Sequence, residues 1–483
     1  MKKYIVILIL ILNLGIYGVD DNCYTIIAGK NLTSGGSVLI AHNEDDSGKN
    51  FFVNVHKLPK NYRTSEKFLK LRNGGMYPAT ESNAFLWLEI PGIDFADSYV
   101  NEHGLVIVSN ACPSREDKGI LTEGGIGYFL RRIIAEKAKS AREAVVLGGK
   151  LIEKYGYYSS GRSYAFADSN EGWLLQVVKG KHWIAQRVPD DQIAIVPNYY
   201  TIREINLNDK KNFLGSKDII KYAIKRGWYN PETDGAFNFS RTYSSTRALS
   251  GEYNRLRHWR GISLLSKLKL EPDDPLPFSF KPLGKIKISD LFMVLRDHYE
   301  GTPYDLTEKY KNGSPNFTKK RTICTGSTQY SIVADLRNNM PEEIAYQIWI
   351  SFRRPDSNSF SIWYPSIHST PNNYTRGKSF SAHLSHFKKD DSYYKMSRKY
   401  PFWNYAKLSD KVDKDYKKNI KRVKKSWKNF ENFLLKNIRK REKEFKYILG
   451  KDKILGRSLI TNYVHLMEYR RWMNSIDLLN SIH

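Results

Sequence analysis

The sequence predicts an α+β fold with a helical C-terminal extension, and three observations lead there. Short apolar runs separated by turn residues fill residues 23–203. One helical block, Ile126 to Tyr155, interrupts them. Past residue 400, Val412, Tyr416, Ile420, Val423, Trp427 and Phe430 recur at three- and four-residue spacing in a lysine-rich background. That is the pattern of an amphipathic helix whose lysines face solvent.

The elements follow in order. Met1-Lys2-Lys3 and the apolar run Tyr4 to Leu12 read as the charged and apolar regions of a signal peptide spanning residues 1–18. The run is too short for a membrane span, so export is the expectation. Residues 19–22 would then form a short propeptide, and a second cut would expose Cys23. A lipid anchor also uses a cysteine after a leader. Here acidic Asp20-Asp21-Asn22 precedes it where small apolar residues are required, and lipidation would consume the sulfur.

Tyr24–Ala28 and Val38–Ala41 read as a hairpin about Ser34-Gly35-Gly36, and Ala84–Ile90 and Leu105–Ser109 as further strands. Ser140 and Glu143 have capping-box spacing for a second helix that stops at Gly156. Tyr164–Ala167, Trp173–Val178, Trp183–Arg187 and Ile193–Val196 read as a meander. Residues 207–290 are irregular and read as loops and short helices walling a cleft. Ile286–His298 is a short helix, and Gln329–Leu336 and Ala345–Ser351 are late strands. With no repeat or low-complexity linker, one catalytic domain over 23–400 and a helical extension over 401–483 are expected.

Composition narrows the class. A chain of 483 residues with 41% hydrophobic and 26% charged residues can build a large core. The net charge of +27 favours acidic surfaces and polyanions, such as anionic cell-surface polymers, although a solvated lysine coat accounts for it equally. No zinc finger, RNA-recognition signature or glycine-rich phosphate loop supports a nucleic-acid partner. Three cysteines, Cys23, Cys112 and Cys324, are too few for a disulfide scaffold. Buried thiols at Cys112 and Cys324 are favoured over one disulfide.

Cys23 is the residue with chemistry written on it. Exposed at a new N-terminus, it would join a thiol and an α-amine in one residue, with reference pKa values of about 8.5 and about 7.7–8.0. The two can exchange a proton near neutral pH, so the residue carries its own nucleophile and base. The second strand then ends in His42-Asn43-Glu44-Asp45 and returns polar groups toward the thiol.

These residues carry a resemblance. Cys-x-Thr-x-x-x-Gly-Lys from Cys23, then Gly-Ser-x-x-x-Ala-His-Asn-Glu-Asp from Gly36, resembles the start of the dipeptidase A / secernin family of N-terminal-nucleophile (Ntn) cysteine peptidases. Asn101-Glu102-His103-Gly104-Leu105, Asn170-Glu171-Gly172-Trp173, His182 to Asp191 and Leu295 to Leu306 agree with it, across residues 23 to 370. The resemblance implies an αββα sandwich, two antiparallel sheets between helical layers. It also implies hydrolysis of dipeptides through a thioester, with no cofactor.

By the same resemblance, Asp45 matches a carboxylate that orients the terminal amine and thiol. His42 stands where the penicillin V acylase branch has arginine, and would hydrogen-bond the sulfur. Asn110 and Asn198 match oxyanion donors, Asn110 through its side chain or its backbone N–H. Arg257 matches a remote arginine, with Arg255 and Arg260 as near alternatives. Turn-forming asparagines and a polar strand end are the plain structural readings of these positions. Asp297 and Glu300, in Asp297-His298-Tyr299-Glu300, would bind a substrate amine or else join a helix-end salt-bridge network. A metal at His42, Glu44, Asp45 and Asp46 is not expected, because adjacent side chains on a strand point to alternate faces. The competing functional readings are an N-acyl amidase of penicillin V acylase or bile salt hydrolase type, and a non-catalytic basic surface-binding protein.

Overall fold

Alternation along the strands writes two separate cores. In the strand Gly172–Gly180, Leu174 joins one apolar cluster while Trp173 and Leu175 join another. In Val106–Ala111, Val108 and Ile107 divide the same way. A sheet apolar on both faces needs a partner layer on each side. The computed structural model describes residues 23–46, 50–62, 67–388 and 390–482. The expected signal peptide and propeptide, residues 1–22, lie outside them.

The chain opens with β1 (Tyr24–Ala28), β2 (Val38–Asp45), β3 (Asn54–Leu58), β4 (Phe68–Lys70), β5 (Met76–Pro78), β6 (Phe85–Glu89), β7 (Ser98–Asn101) and β8 (Val106–Ala111). Helices α1 (Tyr128–Lys137) and α2 (Ala141–Tyr155) come next, then β9 (Tyr157–Ala167), β10 (Gly172–Gly180), β11 (Trp183–Arg187) and β12 (Ile193–Val196). The stretch after them holds β13 (Phe213–Gly215), α3 (Ile219–Lys225), α4 (Phe239–Tyr243), α5 (Thr246–Ser250), α6 (Glu252–Leu265), β14 (Ser279–Phe280) and α7 (Ile288–Leu295). Last are β15 (Thr328–Leu336), α8 (Glu342–Ala345), β16 (Tyr346–Phe352), β17 (Ser361–Trp363), α9 (Ala382–Ser385), α10 (Pro401–Lys414), α11 (Tyr416–Leu449) and α12 (Lys453–Ser481).

Among the described residues, one sheet has seven strands in the order β14-β12-β1-β2-β15-β16-β17. The other has eight, β13-β11-β10-β9-β8-β7-β6-β3, and every pairing in both is antiparallel. The first core cluster fills the space between the sheets and continues beneath α10–α12 on the outer face of the seven-stranded sheet, and the second lies between the eight-stranded sheet and α1 and α2. Helices α6, α7 and α10–α12 cover the seven-stranded sheet. This is the αββα sandwich of two antiparallel sheets that the resemblance implied.

Local sequence explains the outer helices. Ser140 caps α2 by accepting from the Glu143 N–H, and Gly156, at φ +78°, ends it in a backbone region closed to most residues. Gly149 stands inside the unbroken α2 because Trp183 packs on its backbone; a Cβ there would fall 2.1 Å from the indole.

Two expectations change. Ile193–Val196 does not continue the meander but crosses to the other sheet, between β1 and β14. Its four apolar residues are buried on both faces, which suits an interior strand. The C-terminal stripe lies on two helices, because the chain breaks at Asp415, whose carboxylate caps α11. Tyr416, Ile420, Val423, Trp427 and Phe430 are buried as expected, while Lys417, Lys418, Lys421, Lys424, Lys425 and Lys428 are exposed. No helix of the described residues is long and apolar enough to cross a membrane. All three cysteines are free and buried.

Candidate active site

Cys23 stands immediately ahead of β1 and is wholly buried. β2 runs antiparallel beside it, pairing Thr25 with His42 and Tyr24 with Asn43. Side chains two apart on a strand share a face, so His42 and Glu44 emerge together. The Cys23 thiol donates to Glu44 Oε1 at 3.0 Å, and Glu44 Oε2 lies 3.0 Å from His42 Nε2.

The hydrogen atoms in this row can be assigned one after another. Thr25 has a single hydroxyl proton and donates it to Asn110 Oδ1 at 2.6 Å, because a carbonyl oxygen only accepts. Thr25 Oγ1 must then accept from His42 Nδ1, 2.7 Å away, which puts the imidazole proton on Nδ1. His42 Nε2 is left bare and needs a donor, and among the described residues its partner is the Glu44 carboxyl, as the acid. Asn110 Nδ2 donates onward to the Val196 carbonyl at 2.9 Å. Every donor points the same way, from sulfur through Glu44, His42, Thr25 and Asn110.

Electrostatics agree with that proton inventory. Burial pushes the Glu44 carboxyl up to about 8, against the pull of Arg131 and Arg162. Burial takes His42 down to about 3, opposed by Asp45 and assisted by Arg131 and Arg162. A protonated acid beside a neutral imidazole is the expected state at neutral pH. The Cys23 thiol is raised, by burial first and then by the Glu44 and Asp45 carboxyls.

Asp45 turns to the other face. It accepts from Thr328 Oγ1 at 2.6 Å and from Arg321 Nη2 at 3.1 Å, while its backbone carbonyl lies 3.8 Å from the Cys23 sulfur. Burial raises its pKa, and the Arg321 charge restrains the rise. A bulge in β15 between Thr328 and Tyr330 sets Thr328 opposite Asp45 and Tyr330 opposite Glu44.

Arg257 on α6 closes the group from above. Its Nη1 donates to the Cys23 carbonyl at 3.3 Å and its Nη2 to Asn198 Oδ1 at 2.8 Å. Asn198 Nδ2 donates to the Ala111 carbonyl at 2.9 Å. The neighbouring arginines serve elsewhere: Arg255 pairs with Asp273, and Arg260 with Asp297.

The structure therefore brings Cys23, Asp45, Asn198 and Arg257 together, with two corrections. His42 does not bond the sulfur; the Glu44 carboxyl stands between them. Asn110 ties the two sheets together through Thr25 and Val196, so its side chain is a link in the row and not a donor held at the sulfur. Asp297 and Glu300 are not brought to Cys23. Asp297 makes a two-pronged pair with Arg260 at 2.8 and 2.7 Å, and Glu300 holds His298, the helix-end network of the structural alternative. Glu44, Arg321 and Thr328 were missed as site residues. Period-two spacing from His42 was signal enough for Glu44, whereas Arg321 and Thr328 come from distant sequence with no local mark. Donor atoms of Cys23, His42 and Glu44 lie within 4.8 Å of one another, so a thiophilic ion bound there would block the sulfur.

The family model of peptidase family C69 matches residues 22–429, from just ahead of Cys23 into α11. The chain belongs to peptidase family C69. It is therefore a hydrolase, and the resemblance read from the Cys23 and His42-Asn43-Glu44-Asp45 motifs is borne out. Similar proteins include the dipeptidase A of Lactobacillus helveticus, 29% identical over 374 residues that cover 73% of this chain and 77% of that protein. A probable dipeptidase of Latilactobacillus sakei is 29% identical over 354 residues, 69% of this chain and 72% of its own. Among solved structures, penicillin V acylase from Agrobacterium tumefaciens overlaps at a TM-score of 0.34 and 13% identity, over 71% of this C69 chain and 85% of the acylase. That overlap is too loose to carry an argument, and the description of the fold rests on its own two sheets.

Proposed function

We propose that this C69 peptidase is an exported dipeptidase that cuts its substrate with the Cys23 sulfur once Cys23 stands at the chain's N-terminus. The observation that carries the reading is the Cys23 thiol pointing at Glu44 Oε1, 3.0 Å away, while Arg257 grips the same residue's carbonyl. Nucleophile and proton acceptor are thereby positioned on neighbouring strands of one rigid sheet.

The sulfur attacks the substrate carbonyl carbon, forming the C–S bond and moving the carbonyl π electrons onto oxygen. Collapse of that oxyanion breaks the C–N bond and leaves a thioester; the departing amine takes up a proton. Water then attacks the thioester, releasing the acid and restoring the thiol. The thiol's proton has two acceptors in this scheme, the new α-amine and the Glu44–His42 pair. Asp45, backed by Arg321 and Thr328, supports the amine, and the Asn198 amide, held by Arg257 and with one N–H given to the Ala111 carbonyl, offers its other N–H to the oxyanion. The +27 charge suits association with anionic polymers outside the cell.

Substrate class is tested by comparing kcat/KM for one dipeptide in free, N-acetylated and C-amidated forms, with penicillin V alongside. A dipeptide brings two opposite charges, and capping one leaves a cleft group desolvated without its partner, at a cost of about 1–3 kcal/mol. The expected result is free dipeptide cleaved at least about tenfold faster than either capped form, with penicillin V poor. Faster cleavage of the N-acylated compounds would replace this reading with an N-acyl amidase.

A further inference from the structure

A second cluster of reactive side chains lies away from Cys23, where the loops following α7 and β16 meet the start of α11. His298, Cys324 and Asp356 are all buried, and one donor atom of each lies within 4.8 Å of the other two. His298 Nε2 is 3.6 Å from Asp356 Oδ2. Asn316 Oδ1 lies 3.1 Å from His298 Nε2 and 3.6 Å from the Cys324 sulfur. Around a tetrahedral zinc ion with bonds of about 2.0–2.3 Å, neighbouring donor atoms stand about 3.3–3.8 Å apart. The group already has close to that spacing.

We propose that His298, Cys324 and Asp356, with Asn316 Oδ1 in the fourth position, form a structural site for a zinc-like divalent cation. Thiol, imidazole and carboxylate are the donor types that zinc selects, and four protein donors leave no open position for chemistry.

The surroundings are those of ligands oriented for a metal. The Glu300 carboxylate sits 3.2 Å from His298 Nδ1 and holds a proton there, so a cation would bind at Nε2 and displace the N–H that now donates to Asn316 Oδ1. Asp356 Oδ2 accepts from Tyr416 at 2.9 Å and from Asn316 Nδ2 at 3.0 Å. Its other oxygen, Oδ1, is buried and has no hydrogen-bond partner among the described residues. An orphaned carboxylate oxygen is costly to bury, and a bound cation would remove that cost. One of the four ligands borders open space: Asp356, with Glu300, lines a cavity of about 510 Å³ between α7 and α11, beside Phe292, Arg296, Lys424 and Trp427. On binding, the Cys324 S–H bond breaks, sulfur keeps the electron pair for the metal, and the proton leaves to solvent. The ion would fasten the α7–β15 connection to the loop after β16, beneath the first turn of α11.

The test uses the full chain with Cys23→Ala, which removes the other metal-capable trio and leaves this one intact. Metal-stripped protein is titrated with Co²⁺. The expected result is one ion per chain, a thiolate-to-cobalt charge-transfer band, tetrahedral ligand-field bands, and displacement of all of them by Zn²⁺. Adding Cys324→Ser should abolish the charge-transfer band, and adding His298→Gln instead should weaken binding by at least about tenfold. Failure of the single variant to bind Co²⁺, or binding without a sulfur band, would overturn the proposal and leave an internal hydrogen-bond network. So would a band that survives Cys324→Ser. The Cys23→Ala arm leaves the proposed ligands untouched, so it decides even if a second substitution impairs folding.

Discussion

Cys23→Ala is expected to leave a folded chain with no measurable dipeptidase activity. In the proposed mechanism the sulfur forms the bond that becomes the thioester, and no neighbouring group replaces it. Losing a covalent nucleophile lowers kcat by a factor on the order of 10⁶. The structural cost is small. The substitution removes one thiol hydrogen bond to a carboxyl already paired with His42, a loss of about 1 kcal/mol. Circular dichroism and a melting curve close to those of the native protein, together with absent turnover, are the paired expected results. Retained turnover would move the nucleophile elsewhere.

Glu44→Gln should have the next largest effect. Glutamine is isosteric, still accepts from the Cys23 thiol and donates its N–H to His42 Nε2, so both hydrogen bonds survive. What it cannot do is carry a proton between them. We expect kcat to fall by about 10²–10⁴ with KM little changed, the range for removing a positioned acid or base. The pH profile supplies a second readout. Burial pushes the Glu44 carboxyl up to about 8, and as the carboxylate it is the stronger acceptor for the thiol proton. The native rate should rise as pH climbs through that value. The variant's rate should rise less steeply, because only the α-amine still ionises there. A kcat near the native value would leave the α-amine as the sole acceptor.

Much of the frame was readable because apolar alternation is a local signal. Tyr24–Ala28, Trp183–Arg187 and Ile193–Val196 are strands with the bounds the apolar runs suggested. Polar residues hid the rest. Val38–Ala41 was ended early because His42-Asn43-Glu44-Asp45 reads as a strand end, yet those four residues continue β2 and are buried. The first half of β9, Tyr157 to Ser163, and the polar strand β3 were missed for the same reason. Buried polar strand residues are affordable only where hydrogen bonds satisfy them, and here those bonds are the site itself. Cys23 and Asp45 were legible from motif and position. Glu44 shares a strand face with His42, so period-two spacing marks it, whereas its neighbour Asp45 points to the other face. Arg321 and Thr328 were beyond reach, since tertiary folding alone brings them to Asp45.

The central claim is that an N-terminal Cys23 does the cutting, and the mass of the working enzyme tests it most directly. The full chain is expressed and purified by activity, and its intact mass and first residue are measured, before and after rapid quenching with a slow dipeptide substrate. The account predicts an active species whose first residue is Cys23, with the acyl half of the substrate added to that residue on quenching. A fully active species that retains residues 19–22, with Cys23 unmodified during turnover, would contradict it.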